Sequence, residues 1–105
     1  MNMQYVKIDG ATATINVEGR FDLCKTPDVL AGLNAAYQTG CTKVVVDFIN
    51  TSFIDSSAVN ILTKIQRKVK AENFSAKNAS GAVLALLKTG NLDEWLKTNP
   101  KGEYF

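Results

Sequence analysis

Histidine is absent from the 105 residues. That removes the side chain most used to move protons near neutral pH, and the commonest zinc ligand. A serine nucleophile would need lysine as its base, and Lys64, a turn or two beyond Ser56 and Ser57, is the nearest on a suggestive face. No enzyme is expected, and no catalytic residue is assigned. Cysteine is scarce: Cys24 and Cys41 lack the close spacing of a redox pair or zinc knuckle and read as reduced cytosolic thiols. Nowhere do eighteen apolar residues run together, and the first eight lack a basic start followed by an apolar core. The expectation is a cytoplasmic chain, neither secreted nor inserted in a membrane. Charge is nearly balanced at +2, too little to draw nucleic acid or a membrane surface by long-range attraction. A glycine-rich phosphate loop is missing as well, so neither a cofactor nor a metal is expected.

What is present suits one core and one domain spanning residues 1–105, since 46% of the residues are hydrophobic. Ala13, Ile15 and Val17 alternate with polar neighbours, the period of a half-buried strand. With the Asp9-Gly10 turn, residues 3–18 are predicted to form an antiparallel hairpin. Thr26-Pro27-Asp28 supplies a capping hydroxyl, a proline for the first turn and an acid for the positive helix end. A helix follows, carrying Val29, Leu30, Leu33, Ala36 and Tyr37 and stopping at Gly40.

Val44-Val45-Val46, then Phe48, form a run too continuous for a half-exposed strand, and predict a central strand over residues 43–49 covered by helices on at least one face. A turn at Asn50-Thr51-Ser52 leads through Phe53-Ile54 to Asp55-Ser56-Ser57, which opens a second helix with Ala58, Ile61, Leu62, Ile65 and Val69 on one face. Lys64, Arg67, Lys68 and Lys70 fall opposite, as a solvated face does. Residues 74–79 read as an edge strand. Ser80 caps a third helix that ends at Gly90, and Leu92, Trp95 and Leu96 make a last turn before Pro100 and a frayed tail with Tyr104. The order implies a mixed sheet with helices packed on it, and a working surface where a strand hands over to a helix, at residues 47–57.

Three stretches carry a family resemblance. They are Val44-Val45-Val46-Asp47-Phe48 followed by Thr51-Ser52-Phe53-Ile54-Asp55-Ser56-Ser57-Ala58; Glu18-Gly19-Arg20-Phe21-Asp22; and Ser80-Gly81-Ala82-Val83 through Leu86-Leu87 to Gly90-Asn91-Leu92. Over residues 3–92 the chain resembles the STAS domain family, in particular the bacterial anti-sigma factor antagonists. It departs at Ala58, where the family commonly has glycine, at Glu72-Asn73, where a glycine-rich turn is usual, and in a mostly missing amphipathic carboxyl-terminal segment.

The resemblance implies an α/β fold with a mixed four- to five-stranded sheet and three to four helices. It implies partner switching: the unphosphorylated domain binds an anti-sigma factor or a related GHKL-type serine kinase, phosphorylation of Ser56 releases it, and a PP2C-type serine phosphatase restores binding. The output is a sigma factor or another pathway such as biofilm or polysaccharide control. Asp22, Asp55, Ser57, Gly19, Thr51 and Ala58 are the implied partner-binding residues. Plainer alternatives stand beside these: a helix cap for Ser56 and Asp55, support of the helix start for Ser57, a tight turn for Gly19, Thr51 and Ser52, a solvated loop acid for Asp22. STAS domains also serve as accessory subunits of lipid-transport complexes, in which the serine need not be phosphorylated.

Overall fold

A computed structural model of the chain describes residues 5–96. Their order is β1 (Val6–Asp9), β2 (Thr12–Asn16), β3 (Gly19–Phe21), α1 (Thr26–Gln38), β4 (Lys43–Asp47), β5 (Thr51–Ile54), α2 (Ser56–Val69), β6 (Phe74–Lys77) and α3 (Gly81–Thr89). Four strands make a mixed sheet in the order β1-β2-β4-β6, with β1 antiparallel to β2 and the remaining pairs parallel. β3 and β5 pair parallel in a separate two-stranded sheet.

The β1–β2 hairpin forms as expected, with Asp9 opposite Thr12 and Gly10 at a φ of +59°, a conformation that costs glycine little. The mixed sheet is the one the sequence implies, with β4 inside it and β6 at its edge. Ala13, Ile15, Val44, Val46, Phe74 and Ala76 are buried against α1 and α2, which contribute Val29, Leu33, Ile61, Leu62 and Ile65. Burying each of the larger side chains is worth about 1.5–3 kcal/mol before chain entropy is counted. Val45 alternates to the other face with Thr12, Thr14 and Ser75 and is only half-buried, so helices cover one face of the central strand. Gly32 stands mid-helix because α1 lies close on β1: a Cβ there would sit 2.6 Å from Val6 Cγ2.

Three helix ends differ from expectation. Thr26 does not cap α1; its hydroxyl instead donates to the Asp22 carbonyl. Ser80 holds the N-cap position of α3 without a side-chain hydrogen bond. Gly90 has an ordinary φ, and Asn91 takes the left-handed one at +58°. Trp95 is fully buried edge-on to Phe74, with ring centroids 5.1 Å apart, and Leu96 bridges to Ala76 beside the edge strand. Pro100 and Tyr104 lie outside the described residues. No described helix is long and apolar enough to cross a membrane.

Candidate functional site

The segment joining β5 to α2 is fixed by its own backbone and one carboxylate. Asp55 leaves the strand in extended conformation and is the N-cap of α2; its Oδ1 accepts from the Ala58 N–H at 3.1 Å. Its own N–H donates to the Phe21 carbonyl, tying the cap to the end of β3. Ser56 is therefore the first helical residue and not the cap, and it is exposed. Ser57 is half-buried, and Ala58 is fully buried beneath the helix start. An alanine in place of glycine therefore adds no bulk to the surface.

The remaining candidates divide between the two ends of the β3–β5 sheet. The parallel register sets Phe21 opposite Ile54, so the residues that follow, Asp22 and Asp55, emerge at one end. There Asp22 Oδ1 accepts from the Cys24 N–H, and its carbonyl accepts from the Lys25 N–H, which holds the turn into α1. Gly19 and Thr51 face each other at the opposite end, away from Ser56. Gly19 has a φ of +79°, next to an irregularity in the register, so a turn conformation explains the glycine. Thr51 closes the turn, its N–H donating to the Phe48 carbonyl at 3.0 Å, and opens β5 as a buried residue whose Oγ1 donates to the Val17 carbonyl at 2.6 Å. Asp22 and Asp55 thus meet near Ser56, while Gly19 and Thr51 shape the strands behind it.

Beside Ser56 runs an open groove of about 740 Å³. Phe53 and Ile54 come from β5, Ser56, Val59 and Asn60 from α2, and Ala82, Ala85, Leu86 and Thr89 from α3. It exists because α3 packs chiefly on β5 and leaves the flank of α2 uncovered. Phe53 and Leu86 are exposed, as is Leu23 on the loop after Asp22. The Arg20 guanidinium lies 4.6 Å over the Phe53 ring, with Nε 3.9 Å from Asp22 Oδ2. No group of three or more metal-ligating side chains occurs among the described residues.

The sequence profile of a family described as "Mlab, STAS domain" matches residues 5–98. The chain belongs to the STAS domain family. A STAS-domain containing protein of Pseudomonas aeruginosa (strain UCBPP-PA14) is 31% identical over 91 residues, covering 85% of this chain and 89% of that one. Among solved structures, the anti-sigma factor antagonist SpoIIAA in its unphosphorylated form matches with a TM-score of 0.73 at 22% identity, covering 91% of this chain and 88% of that one. An anti-sigma factor antagonist from Mycobacterium paratuberculosis matches with a TM-score of 0.72 at 20% identity, covering 90% and 82%. The phosphorylated form of SpoIIAA, a Bacillus cell fate determinant, matches at 0.67 and 21% identity, covering 91% of each chain. The STAS fold of these antagonists is the fold of this chain.

In this STAS domain the sequence signalled the serine and its acidic neighbours but not the groove. Leu86 stands in the third resembling stretch with no sign there that it is exposed. Arg20 has no role in the sequence beyond its place between Gly19 and Asp22, because a lone arginine in a short segment has no periodicity; the pairing of β3 with β5 sets it across from Phe53.

Proposed function

We propose that this STAS domain is a partner-switching protein of the anti-sigma factor antagonist type, regulated by phosphorylation of Ser56. Unphosphorylated, it binds an anti-sigma factor or a related GHKL-type serine kinase; phosphate on Ser56 releases that partner, and a PP2C-type phosphatase restores binding. On this reading residues 1–105 form one non-enzymatic cytoplasmic domain. The observation that carries the reading is the exposed Ser56 on the first turn of α2, beside a carboxylate and at the lip of an apolar groove.

A phosphate there adds about −1.5 to −2 charges next to Asp55, and a partner seated over it would have to strip its water. The same phosphate meets the free N–H groups and positive end of α2, so the domain keeps its fold. Asp22, Ser57 and Asp55 supply the polar side of the docking surface, and Gly19, Thr51 and Ala58 act by holding it in shape.

The test starts with intact mass of the protein from its own host, beside a Ser56→Ala control. One phosphate, lost in the control, is expected. In binding assays with the co-purifying kinase, Ser56→Asp is expected to weaken binding at least about 30-fold, the effect of roughly 2 kcal/mol of charge repulsion in a desolvated contact. Tight binding by Ser56→Asp would sink the proposal.

The groove also favours a second reading, because exposed Phe53, Leu86 and Leu23 offer a docking surface that needs no phosphate. As an accessory subunit of a lipid-transport complex, the chain would co-purify with a transporter ATPase and carry no phosphate under any growth condition.

A further inference from the structure

Arg20 stands out among the cations of this surface because nothing holds it firmly. Its side chain is 65% exposed, and among the described residues it has a long 3.9 Å contact to the Asp22 carboxylate and lies 4.6 Å over the face of Phe53. An exposed ion pair and an exposed cation–π stack are both weak. Both Phe53, beneath the guanidinium, and Ser56, three residues on, line the groove. Of the other charged groups here, Asp22 and Asp55 are acidic, and the Lys25 ammonium is committed to the Arg20 carbonyl. The α3 wall brings Ala82, Ala85, Leu86 and Thr89, none of them charged.

We infer that Arg20 is the internal receiver of a phosphate on Ser56, exchanging its loose hold on Asp22 and Phe53 for the phosphate oxygens. This rests on the reading of Ser56 as the modified residue. A guanidinium matches a phosphate with two parallel N–H donors, whereas the stack on Phe53 uses none of them. The Arg20–Phe53 register and the stack on Phe53 bring the guanidinium to the groove that Phe53 and Ser56 both line. Modification then alters the docking surface twice: it adds charge at Ser56, and it strips the cation from Phe53, so that a partner fitted to the stacked pair meets a bare ring and a phosphate whose charge one guanidinium offsets only in part.

The test uses the full chain with phosphoserine installed at position 56 during synthesis, so no host kinase is needed. The phosphate is titrated by phosphorus NMR in the parent, Arg20→Ala and Arg20→Lys. A nearby cation favours the dianion, so Arg20→Ala is expected to raise the second phosphate ionisation by about half a pH unit or more, with Arg20→Lys between. In the parent, the Arg20 Nε resonance is expected to move on phosphorylation. Coincident titrations of parent and Arg20→Ala overturn the inference, and circular dichroism checks that both variants are folded. If host-purified protein carries no phosphate, the switching proposal fails while this contact is still measured; coincident titrations remove the contact and leave the switch.

Discussion

Asp55 and Ser56 divide two jobs that the sequence leaves combined. Aspartate and serine are both good caps, so Asp55-Ser56-Ser57 alone does not say which residue closes the helix. Backbone conformation decides it: Asp55 is extended and accepts the Ala58 N–H, which leaves the Ser56 hydroxyl outside the capping bond. Asp55→Ala is expected to cost about 1 kcal/mol in urea unfolding, and Asp55→Asn to recover most of it, since asparagine caps as well. Ser56→Ala is expected to stay within about 0.5 kcal/mol of the parent. A larger loss in the serine variant would make Ser56 a structural residue after all.

At the scale of elements, the pieces with a clear period or a turn signal were legible, and β3 and β5 were not. Every position expected on the buried face of α2, from Ala58 to Val69, is buried, because five apolar residues at helical spacing leave one way to pack. β3 and β5 have three and four residues, too few for a period to show, and β5 buries only its two end residues. A polar segment such as Asn50-Thr51-Ser52 then reads as a turn. What marks Thr51 as a strand residue is long-range: its hydroxyl bonds the Val17 carbonyl, 34 positions away, and joins the small sheet to the end of β2. Thr51→Val keeps the shape and leaves that carbonyl without its donor. The expected cost is about 1–3 kcal/mol by chemical denaturation, with amides of β3 and β5 exchanging faster than those of β4.

Across the whole molecule, one contact between helices sets a limit at high pH. Tyr37 of α1 is half-buried, but its hydroxyl is buried and has no hydrogen-bond partner among the described residues. Lys68 of α2 lies over the ring, with Nζ 4.9 Å from its centroid, so one member of the expected solvated face is engaged. Burial pushes the Tyr37 phenol above its ordinary value. The folded state therefore holds this proton more tightly than the unfolded chain, and the stability it represents is complete below about pH 10 and falls as pH rises through the folded value. Lysines titrate in the same range, so the comparison is with Tyr37→Phe. That variant is expected to lose less stability between about pH 10 and 11 than the parent, and to be no less stable at pH 7, since it removes an unpaired buried hydroxyl. Equal pH slopes would show that the phenol feels no such burial.

The open side of the groove, finally, is walled by side chains the fold does not depend on, above a floor that includes the core residue Ile54. Phe53, Asn60, Ala82, Ala85 and Leu86 are exposed and stand outside the core that holds sheet and helices together. Surface substitutions of this kind usually change stability by no more than about 0.5 kcal/mol. Duplicated copies of such a gene are therefore free to diverge along this wall while Asp55 and the core stay constant, so that one ancestral scaffold can yield paralogues with separate clientele through a few neutral steps.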